Sequence, residues 1–477
     1  MKRIFIAIIS ILFCGVMYAQ HEHHPPPTKP APKTIKKAPA KKTVKQQPKK
    51  DTTMMQHDMH TMKADTVPHD MHGEHDEMMM PSHSFSRNLP MSRNGSGTAW
   101  NPDATPMYMW MESTDKTDWM FHGSVFMRYT NTDIFSSGSR GDDAISFPNW
   151  FMAMMNRKIG ERGLFNATAM ISLDRLTEGG DGYPLLFQSG ETWKGKRLVD
   201  RQHPHDLFSG LSIGYTQMFN ENIDLFAYLG YPGEPALGAP AFMHRISTMN
   251  NPDAPLGHHW QDATHITFGV GTLGFRFKNF KAEGSIFTGR EPDENRYDFD
   301  KPRFDSYSYR LSLNPTENWA LQFSQGFIES PEALEPGEDV TRTSASVLYA
   351  KKLKMHDHFT AAAIWGLNKK HDDHKEHSFL FEGNYQFMKN VLYGRYEYLQ
   401  KSKEELDLDG SFPDKNFNIH ALTAGYNRTL KNFCNIDLVA GTQFTIHGVD
   451  KSLQNLYGKR PVSFQLYLQF RPSLHKH

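Results

Sequence analysis

Methionine and histidine side chains dominate residues 52–83 of this 477-residue chain. The thioether of methionine is a soft ligand that suits Cu(I), and the imidazole of histidine suits copper and zinc. The pattern His-Asp-Met-His occurs at 57–60 and again at 69–72, and ligands this dense need no folded scaffold. We therefore predict a loose, multi-site metal-binding segment. Its candidate ligands are Met54, Met55, His57, Met59, His60, Met62, His69, Met71, His72, His75, Met78, Met79 and Met80.

The alternative interpretation of this segment is a polar low-complexity spacer whose metal ligands are incidental. Residues 20–51, which precede it, are rich in Pro, Lys, Ala and Thr and hold hardly any large apolar residue. A stretch of this composition cannot bury enough surface to offset the entropy lost on ordering, so we expect a disordered linker there.

A second group of metal-binding residue types lies between positions 200 and 265, where histidines accompany Asp200, Asp206 and Asp262. These residues fall in two long connections between predicted strands. If both connections lie at the same edge of the β-structure, the side chains can converge into a cluster that binds a borderline divalent ion. The candidate histidine ligands are His203, His205, His244, His258 and His259, with His265 close by.

The alternative for this second group is a packed ionic network. In it, Arg201, Arg245 and Arg290 would pair with the acidic residues and fix the loops in place. No tight histidine spacing of the kind found on a single helix selects one metal site, so the sequence leaves both interpretations open.

No catalytic arrangement stands out in the sequence. Ser209, Ser212 and Ser285 lie on predicted strands. Ser212 stands in Gly-Leu-Ser-Ile-Gly, but this pattern falls inside a predicted strand and not at a strand-to-helix elbow, and no serine has an assignable base. We therefore predict that the protein is not an enzyme and holds no tightly bound cofactor, with copper, silver or zinc ions as its expected ligands. Because 53 Lys and Arg residues balance 53 Asp and Glu residues, we expect no nucleic-acid partner.

The first residues indicate the compartment. Lys2 and Arg3 precede an almost unbroken apolar run at 4–17, and Ala19 offers a small residue for cleavage. This order is typical of a secretory signal peptide, here residues 1–19. The alternative, an N-terminal membrane anchor, requires about 20 apolar residues, which is more than the run supplies.

Residues 118–471 have a different texture, in which aromatic and β-branched residues alternate with small or polar ones. In the last such segment, Phe464 and Leu466 face one way while Gln465 and Gln469 face the other. A period of two is typical of strands with one apolar and one polar face. We count about sixteen segments of this kind, an even number as in single-chain bacterial barrels. Their predicted centres are 124, 151, 169, 212, 227, 271, 285, 310, 323, 347, 363, 383, 395, 422, 441 and 466.

The connections between these segments alternate between short and long. The long ones are predicted at 131–144, 175–206, 230–265, 289–305, 329–339, 368–377, 401–416 and 448–460. An outer-membrane barrel has short periplasmic turns and longer external loops, whereas a soluble sandwich has no reason to alternate in this way. The sequence therefore predicts an all-β fold: a transmembrane antiparallel β-barrel of about sixteen strands over 118–471, preceded by a lead-in within 52–117 and followed by a tail at 472–477. The alternative is a large soluble all-β protein of the periplasm or cell surface.

Four segments of the chain are distinctive: 89–107, 200–206 (Asp-Arg-Gln-His-Pro-His-Asp), 232–238 and 289–293 (Gly-Arg-Glu-Pro-Asp). Together they resemble a poorly characterised family of Gram-negative outer-membrane-type β-barrel proteins associated with copper and heavy-metal resistance loci. The resemblance extends over most of the chain after the Met/His segment and implies an outer-membrane barrel connected with metal handling. It brings no established catalytic or ligand residues.

These patterns lead to one functional hypothesis and two alternatives. The hypothesis is an exported outer-membrane barrel that serves binding, efflux or resistance for copper or a similar soft ion. Its expected partners are outer-membrane lipid, metal ions and periplasmic metal-efflux components. The alternatives are a general porin-like channel with an incidental metal-binding tail and, less favoured by the residues, an outer-membrane lipid-modifying enzyme.

Overall fold

The structure of the chain is a computed structural model that describes residues 81–354, 356–370 and 374–475. The predicted signal peptide, the linker and the ligands Met54 to Met80 lie outside the described residues. Within the described part of the chain, no helix has both the length and the apolar character needed to cross a membrane.

Strands make up most of the described chain, with a few single-turn helices in the loops. The strands are β1 (Ser82–His83), β2 (Ser86–Pro90), β3 (Trp110–Ser113), β4 (Thr117–Asn131), β5 (Asp143–Ser146), β6 (Asn149–Ile159), β7 (Gly163–Ile171), β8 (Tyr183–Trp193), β9 (Lys196–Gln202), β10 (Phe208–Asn220), β11 (Ile223–Gly230), β12 (Val270–Phe277), β13 (Phe280–Phe287), β14 (Ser306–Leu313), β15 (Trp319–Ile328), β16 (Val340–Lys352), β17 (His358–Lys370), β18 (Lys375–Phe387), β19 (Asn390–Lys401), β20 (Phe417–Phe433), β21 (Ile436–Gly448) and β22 (Val462–Pro472). The α-helical turns are Asp174–Thr177, His258–Gln261 and Gln454–Tyr457, and the 3-10 turns are Met91–Arg93, Phe242–His244, Ala263–His265 and Lys451–Leu453.

Sixteen antiparallel strands, namely β4, β6, β7 and β10 to β22, close into one barrel. The ring closes where β22 pairs with β4, from Phe464 opposite Asn131 to Phe470 opposite Val125. Strands β3 and β5 add short pairings beside β4, and β8 and β9 form a separate hairpin. Each predicted strand centre falls inside one of the sixteen barrel strands, so the predicted fold class is confirmed.

The two faces of the barrel wall have opposite character, and β14 illustrates this best. Its residues alternate strictly between buried and exposed. Tyr307 and Leu311 are 61% and 41% exposed, whereas Arg310 between them is 1% exposed. The apolar side chains therefore point outward and the polar side chains point into the barrel, which is the reverse of a water-soluble protein.

The connections lie at two different rims. Successive barrel hairpins such as β10–β11 and β12–β13 are joined at one rim by turns of two residues, 221–222 and 278–279. The longer connections lie at the other rim, as predicted, with one exception. The connection predicted at 368–377 is wrong in length, because β17 and β18 continue to pair until Lys369 meets Lys375. The charged residues at these strand ends resemble a loop in sequence, although their backbones pair.

The connection 231–269 between β11 and β12, here called the inner loop, folds into the barrel. The carboxylate of its Asp253 accepts hydrogen bonds from Arg128 of β4 at 2.7 Å, Gln443 of β21 at 2.8 Å and Gln465 of β22 at 2.8 Å. The same loop also contacts β13, β15 and β18. Because these strands lie on different sides of the ring, the inner loop occupies the interior.

A second internal segment, residues 82–107, precedes the first barrel strand in sequence and also lies inside the barrel. Phe85 packs against Phe226 of β11 with ring centroids 5.1 Å apart, and Arg310 of β14 donates to the Thr98 hydroxyl at 2.8 Å. The barrel interior, whose open or plugged state the sequence leaves undecided, is thus occupied by two segments of the chain itself.

The β8–β9 hairpin lies over the rim that carries the long loops. Phe187 of this hairpin stacks on Tyr457 at 4.2 Å and belongs to an apolar cluster with Leu406 and Phe417. Burial of these side chains away from water fixes the hairpin above the inner loop, and this position brings the hairpin's polar residues to the site described next.

Candidate metal centre

Five histidines converge inside the barrel near the rim of the long loops, and we call them the imidazole cluster. His203 and His205 lie just before β10, while His258, His259 and His265 belong to the inner loop. The ring centroid of His203 lies 5.9 Å from that of His258 and 5.6 Å from that of His259. Those of His258 and His265 are 5.8 Å apart, and those of His205 and His265 are 5.7 Å apart.

Two sets of three residues at the cluster have ligand atoms close enough together to share an ion. One ligand atom each from His203, His258 and His259 lie within 4.8 Å of one another, and the same holds for His258, Asp262 and His265. Three or four imidazole and carboxylate ligands around one point are the usual protein environment of zinc and of other borderline divalent ions.

The Nδ1 atom of four of these histidines faces an oxygen atom of a neighbouring residue. The pairs are His205 with the Asp174 carboxylate (2.8 Å), His265 with the Asp262 carbonyl (2.7 Å), His203 with the Glu191 carboxylate (3.2 Å) and His259 with the Glu291 carboxylate (3.4 Å). An oxygen acceptor at Nδ1 places the proton there and leaves the lone pair on Nε2, so it selects the tautomer that binds a metal.

The Nε2 atoms of all five histidines are buried and have no hydrogen-bond partner within the described chain. Leaving such a buried polar atom unsatisfied costs about 1–3 kcal/mol. Unpartnered lumen atoms also occur elsewhere in this barrel, but here five of them belong to rings that pack against one another. The convergence, combined with the occupied Nδ1 atoms, is the feature that distinguishes this cluster.

Burial keeps three of these imidazoles, those of His203, His258 and His265, neutral. Burial lowers the pKa of His265 to about 4, with His205 as a further contribution, and it lowers the pKa of His203 and His258 well below 6.5. Burial alone would raise the pKa of Asp262, but the neighbouring His258 and Arg245 lower it to about 2. Near neutral pH these three imidazoles are therefore uncharged and Asp262 is an ionised carboxylate, the forms that bind metals.

Backbone geometry holds the imidazoles in place. Gly190 has a φ of 110°, and a Cβ atom there would lie 2.4 Å from Cε1 of His259. The hairpin can therefore approach the ring only because residue 190 is glycine. A Cβ atom on Gly366 of β17 would lie 2.4 Å from the carbonyl oxygen of Trp260, so the short helix that carries His258 and His259 packs directly on the barrel wall.

Arginines balance the carboxylates around the cluster. Arg245 donates to Asp262 and to Glu382 of β18, each at 3.0 Å, and Arg296 pairs with Glu191 and, at 3.2 Å, with Asp206. The proposed pairing of Arg245 with an acid of the site is thus present. Arg201 instead contacts Asp142 and Asp181, and Arg290 donates to Glu332 and Ser330.

The structure separates one predicted ligand from the others. His203, His205, His258 and His259 come together, but His244 packs with His122 at 5.6 Å and with Trp150 at 5.1 Å. The 3-10 turn Phe242–His244 directs this ring toward the wall formed by β4 and β6.

Sequence reasoning missed the carboxylates that orient the imidazoles, Asp174, Glu191 and Glu291. Asp174 and Glu191 belong to the long connection between β7 and β10, with Glu191 in β8, and Glu291 belongs to the connection after β13. No local spacing connects these carboxylates with the histidines. One signal was available, since Glu291 lies within Gly-Arg-Glu-Pro-Asp, one of the four distinctive segments. Asp200 was expected near the histidines, but it pairs with Arg140 and Tyr457 instead.

Comparison with known proteins returned structural similarities only. No protein-family model matches the chain, and no curated protein sequence matches it. Among solved structures, the chain is similar to a Salmonella typhi OmpF complex with daunomycin, with 10% identity and a TM-score of 0.47 over 76% of this chain and 100% of that one.

Two further similarities are of the same kind. An anion-selective porin from Comamonas acidovorans gives 9% identity and a TM-score of 0.43 over 75% of this chain and 100% of that one. The outer membrane channel DcaP of Acinetobacter baumannii gives 11% identity and a TM-score of 0.40 over 76% and 98%. The barrel assignment rests on this chain's own strand pairing.

Proposed function

We propose that this chain is an outer-membrane β-barrel protein that binds a transition-metal ion at the imidazole cluster and serves metal binding, efflux or resistance. The membrane part of the proposal is supported by the outward-facing side chains. Leu273 is 72% exposed, Ile286 57% and Tyr307 61%. So much exposed apolar surface around a closed barrel is stable in lipid and would aggregate in water.

The metal part is carried by one observation. Five buried imidazoles with unpartnered Nε2 atoms pack together, ligand atoms of His203, His258 and His259 lie within 4.8 Å of one another, and oxygen atoms face Nδ1 on four of the five rings. A structural network of histidines would use both ring nitrogens as hydrogen-bond donors or acceptors. The ion expected here is zinc, Cu(II) or another borderline divalent ion, because its ligands are imidazoles and a carboxylate. Copper capture by the Met54–Met80 segment and docking of periplasmic efflux components belong to the same proposal.

Metal analysis of the full chain tests the central part. The protein would be purified from the outer-membrane fraction in detergent, equilibrated with zinc and measured by inductively coupled plasma mass spectrometry. We expect His203→Ala combined with His258→Ala to lose about one ion per chain, because both residues belong to the three-histidine set whose ligand atoms lie within 4.8 Å of one another. The N-terminal Met/His segment contributes the same background to every variant.

The matched control is His358→Ala. His358 is also buried with an unpartnered Nε2, but it begins β17, far from Asn368, which donates to the His259 carbonyl at 3.3 Å. Equal zinc content in the wild-type protein, the double variant and the control would refute the proposed site. Recovery of the protein in the soluble periplasmic fraction, without heat-modifiable migration on gels, would refute the membrane part.

A further inference from the structure

A small internal cavity adjoins the imidazole cluster on the side of the barrel wall formed by β6, β7 and β10. The side chains that matter here are Met152, Met154, Met170, Met243, His244 and His265. His265 is therefore shared: its ring packs with the cluster, and it also lines this cavity. Its Nε2 atom is buried without a partner in the described chain, and the residue is only 8% exposed.

The cavity continues into a methionine cluster on the wall. Met152 is paired with Met170 and Met154 with Met120 across neighbouring strands. Met154 and Met120 belong to one buried cluster with Met91 and Met107. Adjacent inward positions on three successive strands, β4, β6 and β7, thus carry thioethers.

Methionine is an unusual choice for this part of the wall. Many inward positions elsewhere carry polar or charged residues such as Arg128, Lys281 and Arg310, as expected for a barrel interior. The apolar inward positions on other strands include aliphatic and aromatic residues such as Phe226 and Leu348. Leucine would fill an apolar gap equally well, and methionine is a common gap-filler in cores. What favours a ligand here is that the thioethers surround a cavity that also contains two imidazole rings, one of them with a buried, unpartnered nitrogen.

We propose that this cavity is a second metal site, selective for a monovalent soft ion such as Cu(I) or Ag(I), held by Met152, Met154 and Met170 and completed by His265. Thioether sulfur binds such ions in preference to divalent zinc, for which imidazole and carboxylate are better ligands. Met243 and His244 of the inner loop close the cavity from the opposite side. The inference rests on the proposed function, since it assigns a second ion to the same metal-binding barrel.

Silver binding by the full chain tests this site. The purified protein, already loaded with zinc, would be dialysed against Ag(I) and both metals counted per chain. We expect Met152→Leu, Met154→Leu and Met170→Leu together to lower the silver content by about one ion and to leave zinc unchanged. A second variant, Met243→Leu on the inner loop, should weaken silver binding without any change in the strands.

The matched control replaces three methionines outside the cavity, Met127→Leu, Met155→Leu and Met388→Leu, and should leave the silver content unchanged. Heat-modifiable migration would show that each variant is folded. Unchanged silver content in both folded cavity variants would overturn the second site while leaving the zinc result intact. Failure of the wild-type protein to retain either zinc or silver after loading would instead contradict the proposed function.

Discussion

The imidazole cluster and the methionine-lined cavity meet at His265 but are built in different ways. The cluster is assembled from the long connections, and carboxylates from two of these connections orient three of its rings. The cavity is built on the barrel wall, where neighbouring strands fix the positions of its thioethers. Imidazoles bind through one lone pair in the plane of the ring and so require orienting partners, whereas flexible thioethers adapt to an ion without such partners. Ligands that need orienting partners thus lie in loops where such partners can reach them, and ligands that need none lie on the barrel wall.

The largest expected effect is on the pH dependence of the stability of the metal-free protein. Burial keeps the ring of His265 neutral, and the ring faces His205, His259 and Asp262. In the folded state its pKa is about 4, whereas in the unfolded chain it is about 6.5. As the pH falls, the unfolded chain therefore binds a proton at His265 before the folded protein does. The contribution of His265 to the free energy of unfolding is fully present above pH 6.5 and decreases as the pH drops toward 4. The difference corresponds to about 3 kcal/mol.

Urea unfolding of the metal-free protein in detergent, measured across that pH range, checks this prediction. His265→Gln should lose less stability than the wild type between pH 6.5 and pH 4. Superimposable pH profiles of the two proteins would show that His265 is already charged in the folded state, and the contrast between an oriented neutral cluster and an adaptable cavity would lose its basis.

A smaller effect is expected from the carboxylate that orients His259, one of the three proposed zinc ligands. Glu291→Gln keeps the shape of the side chain but removes its charge, and loss of such an outer partner typically weakens metal binding about 10–100-fold. Zinc affinity measured by competition with a chelator should fall by that factor, while silver affinity should stay the same. Glu294→Gln, in the same long connection but bonded to the backbone N–H groups of Lys194 and Gly195 and not to a histidine, serves as the control. A parallel fall in both variants would point to a general change in the loop.

The smallest expected effect comes from His244, and it tests which of the two sites this residue belongs to. His244→Gln removes an imidazole that lines the cavity but lies outside the cluster. Silver affinity should decrease by a factor of about ten or less, since the thioethers remain, and zinc affinity should not change. A decrease in zinc affinity, measured on the same preparation, would show that His244 belongs with the cluster, as its position in the sequence first suggested.

The sequence predicts the barrel well because strand patterns are local. In β14 the alternation of Tyr307, Leu311 and Leu313 with Arg310 follows directly from a period of two, and the strand forms where it was predicted. The positions of the two internal segments are not determined by local sequence patterns. Residues 82–107 and the inner loop carry no long periodic pattern, and their places depend on partners such as Arg310 and Glu382, which lie far away in the sequence.

The site was predicted in part, for the same physical reason. The pairs His203 with His205 and His258 with His259 are each adjacent or nearly so in sequence, and strand topology brings both pairs to one rim. The carboxylate partners lie in two long connections whose shapes depend on packing, so Glu191 could not be assigned to His203 from spacing alone. The cavity methionines are hidden within β6 and β7, where they look like ordinary apolar strand residues.

The most direct test of the central claim is an anomalous difference map from crystals of the zinc-loaded full chain, with data collected on both sides of the zinc absorption edge. We expect a peak among His203, His258 and His259, with zinc about 2.0–2.1 Å from the Nε2 atoms, the usual zinc–imidazole distance. A map that shows zinc elsewhere on the chain, with only ordered water between these three imidazoles, would contradict the account.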